Sequence, residues 1–278
     1  MNYEYALLAG ALKTFHDFSG DSATCNFTYD HGAPGFSELL SKYPVREAAG
    51  NGNETQKALN LLNWCAQNVL HNGGTKDVEF IPKTSVDILN YAYQKGQEYG
   101  VYCRLQAIVF AECCLALGIK ARILHCLPFS PYDFETHVVT IVYDPSLKKW
   151  VLMDPGNNQF FMDENGMLLS PLEVRERLAN DAYVKYRIEN DYYKQYMAKN
   201  LFYFKSPQYN TFGSDLQENQ KTIYCVPKGF DVLGREIAYC EHAIKNSPPH
   251  LVDSWKTLLD EFRERSYFIN ISAEQFFS

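Results

Sequence analysis

The stretch GVYCRLQAIVFAECCLALGIKAR, residues 100–122, decides the fold. Between its glycines, apolar residues stand at Leu105, Ala107, Ile108, Phe110, Ala111, Cys114, Leu115 and Leu117. They fall nearly all round a 3.6-residue period, which predicts a central helix buried on most sides rather than a surface one. Gly118 suits its C-terminal stop, and residues 119–127 then read as a strand that Pro128 ends. Cys103 opens the helix. At that position free backbone N–H groups and the positive end of the helix dipole lower a thiol's pKa and favour the nucleophilic thiolate.

Moving outward, residues 137–143 (HVVTIVY) form a β-branched strand. Asp144-Pro145-Ser146 supplies a turn, and residues 150–153 return as a second strand. With Tyr143 opposite Trp150, His137 and Asp154 become diagonal neighbours on one face of the hairpin, whereas a one-residue slip would separate them. A carboxylate so placed fixes the imidazole tautomer and leaves the other ring nitrogen for a thiol. Each residue also has a plain structural reading. A cysteine on an apolar helix is usually a small core residue, which is the reading for Cys65, Cys113 and Cys114, and an Asp before Pro is often only a turn. The order Cys, His, Asp on these particular elements favours chemistry.

Upstream, residues 1–54 predict one helix followed by loop. From Thr55, a candidate cap, Ala58, Leu61, Leu62, Cys65, Ala66 and Val69 recur at helical spacing until Asn72-Gly73-Gly74. A second helix starts near Thr84–Ser85, buries Ile88, Leu89 and Ala92, and breaks at Gly96 and Gly100. Downstream, Ser170-Pro171-Leu172-Glu173 reads as a capping box. Helical pattern then continues with interruptions to about Leu201, followed by a loop around Ser206–Glu218. A strand is expected at residues 222–226, a helix at 250–264 and a last strand at 267–271. The aromatic run Tyr183, Tyr186, Tyr192, Tyr193, Tyr196, Phe202, Tyr203 and Phe204 suits core packing better than a cleft lining.

The chain has 278 residues, a net charge of −7 and scattered Lys and Arg. That distribution argues against nucleic acid as a partner, because phosphate binding needs a cationic surface. No apolar run approaches the roughly 18 residues of a membrane span. The apolar opening lacks a basic leader, so the protein is expected to be cytoplasmic. The eight cysteines then read as free thiols rather than a disulfide framework. There is no C-x-x-C pair. Cys240 and His242 could in principle ligate a metal but are set aside, so no metal or cofactor is expected.

Gly100-x-x-Cys103-Arg104-x-x-Ala107, running on through Ala116-Leu117-Gly118-Ile119-Lys120-Ala121-Arg122, resembles the cysteine helix of the transglutaminase-like superfamily. His137-Val138-Val139 through Trp150 to Asp154-Pro155 resembles that family's histidine and aspartate strands. The resemblance spans roughly residues 55–160. It implies an α+β, papain-like core with the cysteine helix packed on an antiparallel sheet. The segments become 1–54 (N-terminal helix and loop), 55–160 (catalytic core) and 161–278 (C-terminal elaboration packed on the core). It makes Cys103 the nucleophile, His137 the base and acid, and Asp154 the orienting residue. The backbone N–H of Cys103 is the first oxyanion donor, and Gln97 is a second candidate by analogy with papain-like spacing. Arg104 is read as a structural ion-pair partner. Many members carry Trp and Glu after the histidine where Val139 and Ile141 stand here, which leaves the substrate wall open.

The implied function is a thiol enzyme that forms an acyl-enzyme with a peptide or protein amide. Water as acceptor would make it a peptidase, deamidase or amidase, and this is favoured; an amine would make it a protein-glutamine transglutaminase. A catalytically silent binding module on the same fold is the alternative of another class.

Overall fold

The computed structural model describes residues 3–20, 23–72, 82–96, 99–188, 191–217, 220–264 and 268–278. In chain order come α1 (Tyr3–Thr14), β1 (Thr28–Tyr29), α2 (Pro34–Lys42), α3 (Val45–Ala49), α4 (Glu54–Asn68) and α5 (Ser85–Lys95). The central run is α6 (Cys103–Ala116), β2 (Ala121–Leu127), β3 (His137–Asp144), β4 (Lys149–Asp154) and β5 (Gln159–Met162). Then follow α7 (Pro171–Ala179), β6 (Lys185–Tyr186), α8 (Asp191–Asn200), β7 (Tyr203–Pro207), β8 (Tyr209–Asn210) and β9 (Thr222–Cys225). The chain closes with α9 (Val232–Asn246), α10 (Pro249–Glu264), β10 (Ile269–Asn270) and α11 (Ala273–Phe276).

One sheet runs in the order β10-β9-β7-β2-β3-β4-β5-β6, antiparallel except for the β9–β10 pair at its edge. β2 pairs with β7, so strands from either side of residue 160 share this sheet. Side chains alternate between its faces, as the period of a strand requires. Ala121, Ile123, Val138, Val142, Val151 and Met153 pack under α2, α4, α5 and α6. Leu124, Val139, Ile141, Trp150 and Leu152 pack on the other side with α1, α7 and α8. The result is the α+β architecture expected, with the cysteine helix laid on the sheet.

α6 is buried from Leu105 to Leu115. Its buried polar residues are met by backbone: Gln106 Nε2 donates to the Val69 carbonyl at 2.5 Å, and Glu112 accepts from Ser85 N at 2.8 Å and Gly213 N at 2.9 Å. Arg122, fully buried, stacks between Phe27, Trp150 and Phe276 and so ties the segments near both chain ends to the sheet. Among the described residues, no helix is long and apolar enough to cross a membrane.

Several local expectations need correction. Asn53, not Thr55, caps α4 by accepting from Gln56 N at 2.9 Å, while the Thr55 hydroxyl donates to Asp144 at 2.8 Å. α4 stops at Asn68, ahead of Asn72, and Gly73 and Gly74 lie outside the described residues. The first 54 residues hold α2 and α3 besides α1; α2 starts at Pro34, the helix position where proline is tolerated. The loop expected around Ser206–Glu218 carries the end of β7 and all of β8; Glu218 lies outside the described residues. α9 had no sequence counterpart, although Asp231 caps it by accepting from Gly234 N. The last strand is confined to Ile269–Asn270, and Tyr267 lies outside the described residues.

Candidate active site

Three elements end at one place. Cys103 is the first residue of α6, with Tyr102 at the cap; His137 is the first residue of β3; Asp154 is the last of β4. The hairpin pairs Tyr143 with Trp150 and Thr140 with Met153, the register that keeps His137 and Asp154 on one face. His137 Nε2 lies 2.5 Å from Asp154 Oδ2. That oxygen also accepts the Tyr193 hydroxyl at 2.6 Å and Asn157 Nδ2 at 2.9 Å. Asp154 Oδ1 accepts Asn157 N at 3.2 Å. The carboxylate therefore caps the turn after β4 and holds the imidazole at once.

His137 and Asp154 are 1% and 0% exposed, whereas Cys103 is half-buried and reachable. Burial alone would push the Cys103 thiol up. Interaction with the His137 and His71 side chains and with the Val138 N–H outweighs it and brings the thiol down to about 6. Burial would likewise lower the imidazole, but the Asp154 carboxylate raises it to about 10, with the thiol adding to the effect. Asp154 falls to about 2 despite its burial, through His137, Tyr193 and Asn157. His137 Nδ1 is sealed from solvent and makes no hydrogen bond of ordinary geometry, while the imidazole and the thiol still act on each other. The favoured state at neutral pH is a thiolate–imidazolium pair.

Five other cysteines differ. Burial pushes Cys114, Cys126, Cys225 and Cys240 up, and Cys113 rises through contact with Cys65 and then burial. His125 sits in β2 and is pushed well below the ordinary imidazole range by burial and by Arg104 and Lys205. It is His137, not His125, that couples to the thiol. Arg104 pairs with Asp215 at 2.7 Å, as an ion-pair partner should. Gln97 lies outside the described residues.

Sequence reasoning missed four residues at this site. Tyr193 belongs to the aromatic run that was read as core, yet its hydroxyl holds Asp154. Tyr196, one helical turn on, sets its ring edge-on to His137 at 5.0 Å. Asn157 follows Asp154 in the turn. His71 sits before the Asn-Gly-Gly breaker, a position that carried no signal of its own. Around them the space is tight: a Cβ on Gly156 would stand 3.2 Å from both Asp154 Oδ1 and Gln106 Oε1, and 3.7 Å from the His71 ring. Any larger residue would require these side chains to shift.

No curated protein matches this sequence. Among solved structures, the chain is similar to the crystal structure of a "putative cysteine protease" from Cytophaga hutchinsonii, with 19% identity and a TM-score of 0.33, over 55% of this chain and 49% of that one. The chain thus spans about half the length of that structure. Residues 43–155, the segment that carries Cys103, His137 and Asp154, match the model of the Transglutaminase-like superfamily; the resemblance stands, and it supports a cysteine-dependent enzyme on a transglutaminase-like, papain-like fold.

Proposed function

We propose that this protein is a cysteine hydrolase of peptide or protein amide bonds, with Cys103 as nucleophile, His137 as acid and base, and Asp154 as the group that orients His137. The observation that carries the proposal is the sealed His137–Asp154 pair beside a half-buried thiol at a helix N-terminus.

The chemistry follows from that arrangement. The Cys103 thiolate adds to the amide carbonyl, forming a C–S bond while the carbonyl π pair moves to oxygen. Collapse of this intermediate breaks the C–N bond, and the His137 imidazolium gives its proton to the leaving amine. The thioester is cleaved by water, from which the now neutral His137 removes a proton. A second tetrahedral intermediate releases the acid and returns the thiolate. Asp154 stabilises the imidazolium at both stages and fixes which nitrogen faces the sulfur. An amine in place of water would give a new amide and a transglutaminase.

Casein offered with dansylcadaverine separates these readings. Peptide cleavage or release of ammonia, lost in Cys103→Ala, is the expected result. Dansyl incorporation would make the protein a transferase. Failure of iodoacetamide to label Cys103 preferentially near neutral pH, together with no turnover, would leave the silent binding module.

A further inference from the structure

His71 lies outside the His137–Asp154 pair, yet the backbone places it beside the thiol. Val101 N donates to the Leu70 carbonyl at 2.7 Å and Asn72 N donates to the Val101 carbonyl at 3.2 Å, so residues 70–72 run alongside residue 101. Gly100 makes this approach feasible: a Cβ there would stand 2.8 Å from the Leu70 oxygen and 3.0 Å from Asn72 Cβ. The pairing docks His71 two residues ahead of the nucleophile. Its side chain interacts with the Cys103 sulfur, and its Cδ2 lies 3.7 Å from where a Cβ on Gly156 would stand, two residues beyond Asp154. His71 is exposed, while His137 is sealed beneath. A carbonyl that arrives from solvent therefore meets His71 as it meets the sulfur.

We propose that His71 supplies the side-chain hydrogen bond to the oxyanion formed at Cys103, next to the free N–H of Cys103 at the start of α6. The inference rests on Cys103 being the nucleophile. When the C–S bond forms, the sulfur's negative charge passes to the carbonyl oxygen two bonds away. A donor already directed at the thiolate has only to follow that charge, and one set in place beforehand needs no reorganisation at the moment of reaction. The first-turn amides of a helix have no intrahelical partner, which leaves the Cys103 N–H free as the second donor. The division of labour is then clear: His137 moves protons and His71 holds charge.

The experiment compares two reagents on the same thiol. Iodoacetamide alkylates by displacement and develops no oxyanion, whereas p-nitrophenyl acetate acylates through one. Both rates at Cys103 are measured on the alkaline plateau, where the thiolate is fully formed, for the parent protein, His71→Ala and His71→Gln. The expected result for His71→Ala is an acylation rate down by about 10²- to 10³-fold with the alkylation rate nearly unchanged. His71→Gln, which retains an N–H donor, recovers most of the acylation. Equal loss of both rates would assign His71 to the thiol's pKa alone and overturn the proposal, as would full acylation in His71→Ala or a parent protein that alkylates but does not acylate. A parent protein whose Cys103 reacts with neither reagent would instead overturn the nucleophile assignment beneath it. Because His71 is exposed, its replacement leaves the core untouched.

Discussion

The two faces of the central sheet contribute differently to the candidate site. The face under α6 carries Ala121, Ile123, Val138, Val142, Val151 and Met153, and it delivers one reactive group, the thiol at the helix's free end. The opposite face carries Val139, Ile141, Trp150 and Leu152, and with them His137 and Asp154, which share that register. There α8 closes over the pair with Tyr193 and Tyr196. The thiol is reachable because it sits where a helix begins. The imidazole and the carboxylate are dry because α8 covers them, and α8 lies beyond residue 155, where the superfamily match ends. The site is therefore made at the seam between two cores, and a segment cut to the family's length would lack the hydroxyl that holds Asp154.

The largest effect breaks the comparison on the α6 side. Cys103→Ala should reduce acylation by p-nitrophenyl acetate to background, a loss of at least about 10⁴-fold. Asp154→Asn is the matching test on the other face, with an expected loss of about 10³- to 10⁴-fold in turnover and an unchanged fold by circular dichroism. The pH profile sharpens it. In the parent protein the thiol titrates at about 6 and the imidazole at about 10, so rate is lost as pH falls through the first value and again as it rises through the second. Burial pulls both groups the opposite way, raising the thiol and lowering the imidazole. With the carboxylate gone, the imidazole loses the group that raises it, so the upper limb should move to lower pH and the active window narrow from above. A profile that loses height but keeps its limbs would mean that Asp154 only caps its turn.

Much of the α6 face was legible because its signals are local. The apolar run 105–117, the bounding glycines and the β-branched strand 137–143 each announce themselves within one element, and the facing of Tyr143 and Trp150 gave the register. The other face was obscure for a physical reason. Tyr193 meets Asp154 across 39 residues of chain, and nothing in a tyrosine-rich helix marks which hydroxyl will find a carboxylate. His71 was silent for the same reason, since its partner is a strand-like contact with Val101. α9 was missed where a capping Asp231 stood in plain view, while α2 was hidden behind a proline–glycine pair.

Adjacent residues on β4 test whether the two cores are one cooperative unit. Leu152 and Met153 are both fully buried but point into opposite layers. Leu152→Ala and Met153→Ala should each cost about 2–5 kcal/mol, read as equal shifts of a single denaturant transition with an unchanged slope. Two separate transitions, each sensitive to one variant, would show that the layers fold apart.

The smallest effect falls on Tyr193→Phe, and it asks most directly whether the second layer works on the site or only covers it. Phenylalanine keeps the ring, which stacks on Phe161 at 6.0 Å, and removes one of three donors to Asp154 Oδ2. His137 and Asn157 still hold the carboxylate, so turnover should fall about tenfold or less, within the worth of one hydrogen bond to a charged group. The second consequence concerns acid stability. Asp154 lies at about 2 in the folded protein, below its ordinary value, partly through Tyr193. A carboxyl lowered on folding stabilises the native state above its unfolded pKa, and that contribution disappears as pH falls through the folded value. Without the hydroxyl the folded value rises, so the contribution shrinks and acid unfolding should begin at higher pH than in the parent protein. If Tyr193 only fills space, the variant's acid unfolding curve and its turnover would both overlay those of the parent, and the C-terminal layer would be a cover with no hand on the carboxylate.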